Sequence, residues 1–328
     1  MPCLIPEILF DIAKKLVEDR NSDAVIQFGL SGKECFKALA NVFASVTTLE
    51  LYDNHFAVGW DKQCSMFDVK KVPKFLLHCI GGSVKKLHIE REFNPLCQPI
   101  IDQIVAQKKL ISFSAGNDSY YCSEKFINEF LPLFSSTLKD VKIPSRAMSE
   151  TFCDKLCPEN LTLSNIFNLN IVFLLRLLST SESSSLFKSS IKHLTFVDKT
   201  GSFSSSAFSC QNIIQTFSSL ETLNFNMKYR RFIKNDIQAI IKIIQISINL
   251  PSKIVYTVLS DGNDVKHEIC SNLRICQDIC KEFEYNASNE SQHSFHQTFQ
   301  TASSQMVLLE VLIPKRQKLT SEFILWMS

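Results

Sequence analysis

A short apolar pattern, aliphatic-x-x-Leu-x-aliphatic, recurs along most of this 328-residue chain and constrains its fold more than any other feature. The copies, some of them shortened, are Val46–Leu51, Val84–Ile89, Leu110–Phe113, Leu138–Ile143, Leu161–Leu163, Ile191–Phe196, Leu220–Phe225 and Leu308–Ile313. Runs with helical periodicity lie between several copies, at Pro99–Gln107, Ser123–Phe134, Met148–Leu156, Phe167–Leu178 and Gln211–Phe217. Repeated alternation of one short strand with one helix is typical of an α/β fold with a parallel sheet. We therefore predict that the strands lie side by side and parallel, in chain order.

The spacing of the copies indicates a repeat architecture. Counted between central residues, the first seven copies are 22 to 38 residues apart, and leucine-rich repeats have a period of about 20 to 29 residues. We interpret residues 46–328 as an irregular leucine-rich-repeat-like solenoid with a parallel sheet. A second interpretation stays open, in which the pattern only marks the buried parallel strands of a compact α/β domain.

The residues before the first copy predict three short helices. Apolar side chains recur there at three- and four-residue spacing, namely Ile5, Ile8, Leu9, Ile12 and Leu16, which places them along one side of a helix. Pro6 suits the first helical turn and Glu7 complements the helix dipole. A second helix is predicted around Val25 and Phe28, and a third around Phe36 and Phe43.

This opening stretch resembles the F-box, a three-helix module that docks a substrate receptor onto the Skp-type adaptor of a cullin–RING ubiquitin ligase. The matching positions are Leu4, Glu7, Ile8, Leu9, Ile12 and Leu16, followed by Asp23 and the Leu30-Ser31 pair. The chain departs from the family pattern at three places. Pro6 lies one position late, about three residues are inserted before Asp23, and Glu34-Cys35-Phe36 replaces the usual Trp.

The resemblance implies a function as well as a fold. Residues 1–45 would form an F-box-like module, and the adaptor-binding residues would be Leu4, Pro6, Ile8, Leu9, Ile12, Leu16 and Leu30. An F-box followed by leucine-rich repeats is a known pairing, and the texture of the chain is similar to the divergent nematode F-box families. The chain would then be the substrate-recognition subunit of a Skp–cullin–F-box ligase and would carry no catalytic residue of its own.

An alternative gives the same helices a purely structural role. In that interpretation the chain is a leucine-rich-repeat interaction scaffold without a ubiquitin-ligase role, and the N-terminal helices only cap the fold. The two interpretations differ in what they expect of Ile8, Leu9, Ile12 and Leu16. In an F-box these side chains stay partly exposed in the isolated chain, whereas in a cap they are buried.

Polar positions within the strand copies are the candidates for binding a target protein. In a strand, successive side chains point to opposite faces, so the residues between the apolar ones share one face. These candidates are Thr48, Glu50, Lys86, His88, Lys142, Lys192, Thr195, Glu221 and Asn224. We expect them to line the surface that contacts the target.

Composition and motifs argue against other classes of function. Lys and Arg number 35 and Asp and Glu 33, so the basic excess of a nucleic-acid-binding domain is missing. No apolar run reaches the length of a membrane span, and nucleotide-binding and hydrolase motifs are absent. The 12 cysteines are too scattered for a disulfide scaffold or a zinc site. We expect a soluble intracellular protein without metal or cofactor, in the cytoplasm or alternatively in the nucleus.

The C-terminal part follows the strand pattern less closely. Asp236–Ile248 has the apolar periodicity of a helix, and Ile254–Leu259 alternates like a strand. Tyr285–Gln305 is rich in Ser, Asn, Gln and His and poor in aliphatic residues. We predict a mobile insert there, because few apolar side chains are present to offset the entropy of ordering. The apolar tail Phe323–Met327 is predicted to pack against the last repeat.

Overall fold

A computed structural model of the chain describes residues 5–61, 63–91, 94–116, 124–164, 185–198, 216–228, 233–246, 250–259, 283–286 and 292–314. The chain divides into two compact units, residues 1–158 and 159–328. The predicted boundary at residue 45 falls inside the first unit. The predicted helices at 167–178 and 211–217 and the C-terminal tail lie largely or wholly outside the described residues.

The first unit begins with the three predicted helices and continues as an α/β fold. Its helices are α1 (Pro6–Glu18), α2 (Ser22–Leu30), α3 (Lys33–Ser45), α4 (Lys74–Cys79), α5 (Gln98–Gln107), α6 (Glu124–Phe130) and α7 (Glu150–Lys155), with 3-10 turns at Pro95–Cys97, Leu131–Phe134 and Ser145–Ala147. Its strands are β1 (Thr48–Leu51), β2 (His55–Trp60), β3 (Gln63–Asp68), β4 (Lys86–Ile89), β5 (Ser112–Ala115) and β6 (Asp140–Pro144). They are ordered β3-β2-β1-β4-β5-β6.

The parallel arrangement predicted from the sequence is confirmed for β1, β4, β5 and β6. Leu49 lies opposite Leu87, Leu87 opposite Phe113, and Phe113 opposite Val141. All four side chains are buried. The apolar residue at the centre of each copy therefore forms a continuous row on the core side of this sheet.

The hairpin β2–β3 was not predicted. It occupies the long step between Leu49 and Leu87, and it pairs antiparallel with β1. Gly59 permits its tight closure, because a Cβ there would overlap the carbonyl oxygen of Gln63. Alternation of Phe56 and Val58 on β2, both buried, was the available signal.

The second unit has the same construction. Its described helices are α8 (Ser185–Ser190) and α9 (Ile233–Ile246), and its strands are β7 (Asn160–Ser164), β8 (His193–Asp198), β9 (Thr222–Lys228), β10 (Lys253–Leu259), β11 (Glu284–Asn286), β12 (Gln292–Gln300) and β13 (Met306–Pro314). They are ordered β7-β8-β9-β10-β13-β12-β11. Strands β7 to β10 and β13 are parallel. The residue in register with Leu194 is Leu161 rather than Leu163, a correction of two positions to the repeat count.

The mobile insert predicted at 285–305 is wrong for most of that segment. Strand β12 pairs antiparallel with β13 along its whole length, from Gln292 to Gln300, and β11 pairs with β12. The strand is possible despite its polar composition because backbone hydrogen bonds to β13 do not depend on the side chains. Ser294 and Phe295 are buried, whereas Thr298 and Gln300 are exposed.

Both units are thus α/β with mostly parallel strands. Within the described residues, no helix is both long enough and apolar enough to cross a membrane.

Candidate functional site: two binding surfaces

Helix α1 has apolar side chains on two sides. Leu9, Ala13 and Val17 are buried at four-residue spacing, where α1 packs against α2, α3 and the hairpin β2–β3. The Ser65 hydroxyl of β3 donates a hydrogen bond of 2.6 Å to the carbonyl oxygen of Val17. A second stripe stays in solvent: Ile5, just before the helix, is 55% exposed, Ile8 is 42% exposed and Ile12 is 37% exposed. We call these three residues the exposed α1 stripe.

The adaptor-binding residues predicted from the sequence divide between surface and core. Leu9 is only 5% exposed, so in this fold it lies in the core, whereas the F-box interpretation expects it to stay partly exposed. It points to the core because its spacing matches Ala13 and Val17, whereas Ile8 matches Ile5 and Ile12. Pro6 and Leu30 are exposed and Leu16 is half-buried. Leu4 lies outside the described residues.

A second surface lies on the polar side of the first unit's sheet. Glu50, His88 and Ser114 occupy neighbouring positions on β1, β4 and β5. His88 Nδ1 lies 2.7 Å from Ser114 Oγ, and His88 Nε2 lies 2.8 Å from Glu90 Oε2. We call Glu50, His88, Glu90 and Ser114 the polar strand cluster.

Tyr52 contacts two residues of this cluster. Its hydroxyl donates a hydrogen bond of 2.8 Å to Glu50 Oε2, and its ring packs edge-on to the His88 ring. Burial, this hydrogen bond and the charges of Glu50 and Glu90 raise the pKa of the Tyr52 hydroxyl far above its ordinary value. Tyr52 therefore remains a protonated donor to Glu50.

The cluster has the order of groups found in serine hydrolases, with a hydroxyl, an imidazole and a carboxylate in one chain of hydrogen bonds. Acyl transfer also needs donors aimed at the developing oxyanion. The N–H of Gly116, two residues beyond Ser114, donates to the carbonyl oxygen of Ile89 at 2.7 Å and so serves the sheet. The cluster is thus a fixed pattern of hydrogen-bond donors and acceptors on the surface of the sheet.

A cleft of about 380 Å³ opens beside the cluster, where β1 and β4 end. Its lining residues are Tyr52, Asp53, Asn54, His55, Glu90 and Arg91. Arg91 Nη1 lies 3.4 Å from Asp53 Oδ2 across the cleft. Ligands of open parallel sheets bind outside the carboxyl ends of the strands, and this cleft has that position in the first unit.

Two of the predicted target-binding residues make contacts within the first unit. Thr48 is buried, and its hydroxyl accepts a hydrogen bond of 3.1 Å from the backbone N–H of Asp61. Lys86 is exposed but lies 2.6 Å from Asp61 Oδ1, and this hydrogen bond and charge lower the pKa of the Asp61 carboxyl. Thr48 and Lys86 thus both hold the hairpin turn after β2. Lys142 lies opposite Ser114 on β6, on the polar side of the sheet as predicted.

The second unit carries its own polar strand positions. Asn224 Nδ2 donates to Thr195 Oγ1 at 3.1 Å, and the two residues are in register on β9 and β8. Lys192 and Glu221 are exposed just before these strands. Further along, Lys253 Nζ lies 2.7 Å from Glu310 Oε2. Burial raises the pKa of Glu310, but the hydrogen bond and charge of Lys253, together with the Ser294 hydrogen bond and the charge of His296, lower it overall.

Sequence reasoning missed Tyr52, Glu90 and Ser114. Tyr52 and Glu90 each follow the last residue of a strand copy, and Ser114 follows the shortened copy that ends at Phe113. The alternation of β1, β4 and β5, extended by one or two residues, would have found all three. Among the described residues, no group of three or more His, Cys, Asp or Glu side chains could hold a metal ion.

Comparison of the chain with models of known protein families and with curated proteins found no match.

Proposed function

We propose that this chain is a substrate-recognition subunit of a Skp–cullin–F-box ubiquitin ligase. In this proposal the N-terminal helices bind the Skp-type adaptor and the polar sheet surfaces bind the target protein. The observation that carries the proposal is the exposed α1 stripe, an aliphatic surface that the fold leaves uncovered although it lies in the stretch resembling an F-box.

A partner that covers the exposed α1 stripe would gain binding free energy from its aliphatic side chains. Fully burying an aliphatic side chain stabilises by about 1.5 to 3 kcal/mol relative to leaving it in water. Ile8 and Ile12 keep 42% and 37% of their surface exposed, so covering the remainder would contribute about 1 kcal/mol each. Ile5 and Leu30 are also exposed and would add to this contact. Interfaces commonly derive most of their affinity from a few such apolar anchors.

Target recognition would use the polar strand cluster. Its donors and acceptors are held in place before binding, because His88 bonds both Ser114 and Glu90, and Tyr52 bonds Glu50. Groups held in this way lose less conformational entropy when a partner binds. Ubiquitin transfer would be carried out by other subunits, so this chain would contribute binding only.

The test is binding of the purified chain to a purified Skp-type adaptor, measured by calorimetry. We expect the double variant Ile8→Asp and Ile12→Asp to weaken binding by about a hundredfold or more, because two carboxylates in an apolar contact cost about 3 kcal/mol. The matched control is Leu96→Asp with Leu133→Asp. These leucines are 38% and 45% exposed and lie elsewhere in the first unit.

Circular dichroism of each variant shows whether the fold is retained. Loss of adaptor binding in the folded Ile8 and Ile12 variant, together with unchanged binding in the control, supports the proposal. A wild-type chain that does not bind the adaptor at all refutes it.

The second candidate is an interaction scaffold without a ligase role. The buried residues Leu9, Ala13 and Val17 favour it, since they show that α1 also covers the hairpin β2–β3. A scaffold would bind its target through the polar surfaces and show no affinity for the adaptor. The same calorimetric experiment therefore separates the two.

A further inference from the structure

An aromatic pair with several lysines close to it in the sequence lies on a part of the first unit that neither surface above includes. The rings of Phe36 on α3 and Phe75 on α4 have centroids 5.7 Å apart, with an angle of 32° between their planes. Phe75 is 58% exposed, which is unusual for a large apolar residue on a helix that buries Leu76 and Leu77. More than half of the Phe75 surface is therefore in contact with solvent.

Five lysines flank the two rings in the sequence. Lys33 and Lys37 lie on α3 within one turn of Phe36, and Lys70, Lys71 and Lys74 lie within the five residues before Phe75; all five are exposed. None of these five ammonium groups has an ion-pair or hydrogen-bond partner among the residues that the structure describes. By contrast, Lys14 and Lys15 on α1 pair with Glu18 and Asp19. Glu34 and Asp68 are the carboxylates in the same two stretches, so the five lysines leave these stretches with a net positive charge.

We propose that this patch, defined as Phe36, Phe75 and the five lysines, binds an acidic segment of a partner protein that carries an apolar anchor residue. An apolar centre with a polar rim is the usual anatomy of a protein–protein contact. The exposed Phe75 ring would receive the anchor. The positive charge of the five lysines would attract carboxylates of the partner. It would also speed association and select against basic partners.

Two other classes of anionic partner fit the patch less well. Single-stranded nucleic acid binds to a series of aromatic platforms on which successive bases stack. Here the Phe36 and Phe75 rings pack against each other at an angle of 32°, and Phe36 is half-buried, so the patch does not offer a series of open ring faces. An anionic membrane would attract the lysines, but stable attachment also requires insertion of a broad apolar face. Phe75 is the single large apolar residue in this segment that is mostly exposed.

The experiment begins with a display library of random short peptides selected on the full-length chain. We expect the enriched peptides to combine Asp and Glu with an aromatic or aliphatic residue. Their affinities are then measured by fluorescence anisotropy on three variants. Lys37→Glu with Lys74→Glu, and separately Phe75→Ala, should each weaken binding by about tenfold or more. The control, Lys125→Glu with Lys155→Glu, changes two exposed lysines on α6 and α7 and should leave binding within about twofold, since rim charges far from a site have little effect.

Further binding measurements distinguish an acidic peptide from a membrane and from a nucleic acid as the partner. Binding of the selected peptides should weaken as salt rises, because exposed charges are screened. The proposal is overturned if acidic peptides are not enriched, or if they bind the patch variants as tightly as the wild type. It is also overturned if phosphatidylserine vesicles or a single-stranded oligonucleotide bind through the patch and the peptides do not. The Ile8→Asp and Ile12→Asp variant should bind the same peptides normally, so failure of the ligase proposal leaves this result unaffected.

Discussion

Helices α1 and α5 both belong to the first unit and both bury an aliphatic stripe, but their opposite sides differ. Helix α5 buries Ile100, Ile101 and Ile104, and its exposed positions are Gln98, Asp102, Ala106 and Gln107. Helix α1 buries Leu9, Ala13 and Val17, yet it exposes Ile8 and Ile12. A helix that only needs to cover a sheet requires one apolar side. The second apolar side of α1 is therefore not needed to cover the elements beneath it.

The largest expected effect is a difference in stability between variants in the buried stripe of α1 and variants in its exposed stripe. Leu9→Asp places a carboxylate at a position that is 5% exposed. We therefore expect the free energy of unfolding to fall by about 4 kcal/mol or more. Ile12→Asp alters a partly exposed position and should change stability by less than about 1 kcal/mol. Urea unfolding followed by circular dichroism measures both. An equal loss of unfolding free energy in the two variants would contradict this prediction, because Ile12 would then support the fold as much as Leu9 does.

A comparison between the helices should give the next largest effect. Ile104→Ala removes a buried side chain from α5 and should cost about 3 kcal/mol, from lost transfer free energy and the cavity left behind. Ile8→Ala on α1 should cost less than about 1 kcal/mol, because much of that side chain is already in water and Ala favours helix. Thermal or urea denaturation of the two variants under identical conditions provides the measurement. A cost for Ile8→Ala close to that for Ile104→Ala would show that the exposed stripe supports the fold.

A smaller effect is expected at the contact that holds α1 to the hairpin. Ser65→Ala removes the donor to the Val17 carbonyl oxygen, and a buried hydrogen bond typically contributes about 1 kcal/mol. We expect a loss of about that size in urea unfolding. Amide exchange at the C-terminal end of α1 should also become faster. Ser112→Ala, at a half-buried strand position on β5, is the control and should leave exchange in α1 unchanged.

The smallest effect concerns thiol reactivity next to α5. Cys97 is buried just before this helix, and burial raises the pKa of its thiol to about 11. At pH 8 only about 0.1% of it is then thiolate, the reactive form. Iodoacetamide labelling read by peptide mass spectrometry should leave Cys97 unmodified while the exposed Cys157 reacts. Rapid labelling of Cys97 in the native protein would indicate that α5 opens locally.

The sequence was a good guide to the elements and a partial guide to the surfaces. The three opening helices and the strands around Leu49, Leu87, Phe113 and Val141 were predicted, because apolar periodicity depends only on local geometry. The hairpin β2–β3 was missed, because the alternation of apolar residues in its strands is short and Gly59 interrupts it. Strand β12 was predicted as a mobile loop because its order comes from backbone pairing with β13, which composition does not reveal.

The sequence by itself determined which side chains alternate and at what period, and hence the row of buried residues from Leu49 to Val141. Only the tertiary structure decided which of the two apolar stripes of α1 is covered, because that depends on where α3 and the hairpin lie. It also decided that Glu50, His88 and Ser114 become neighbours, since residues 26 to 38 positions apart meet only through strand register. Local patterns are set by the geometry of single elements, whereas exposure and contact are set by how those elements pack.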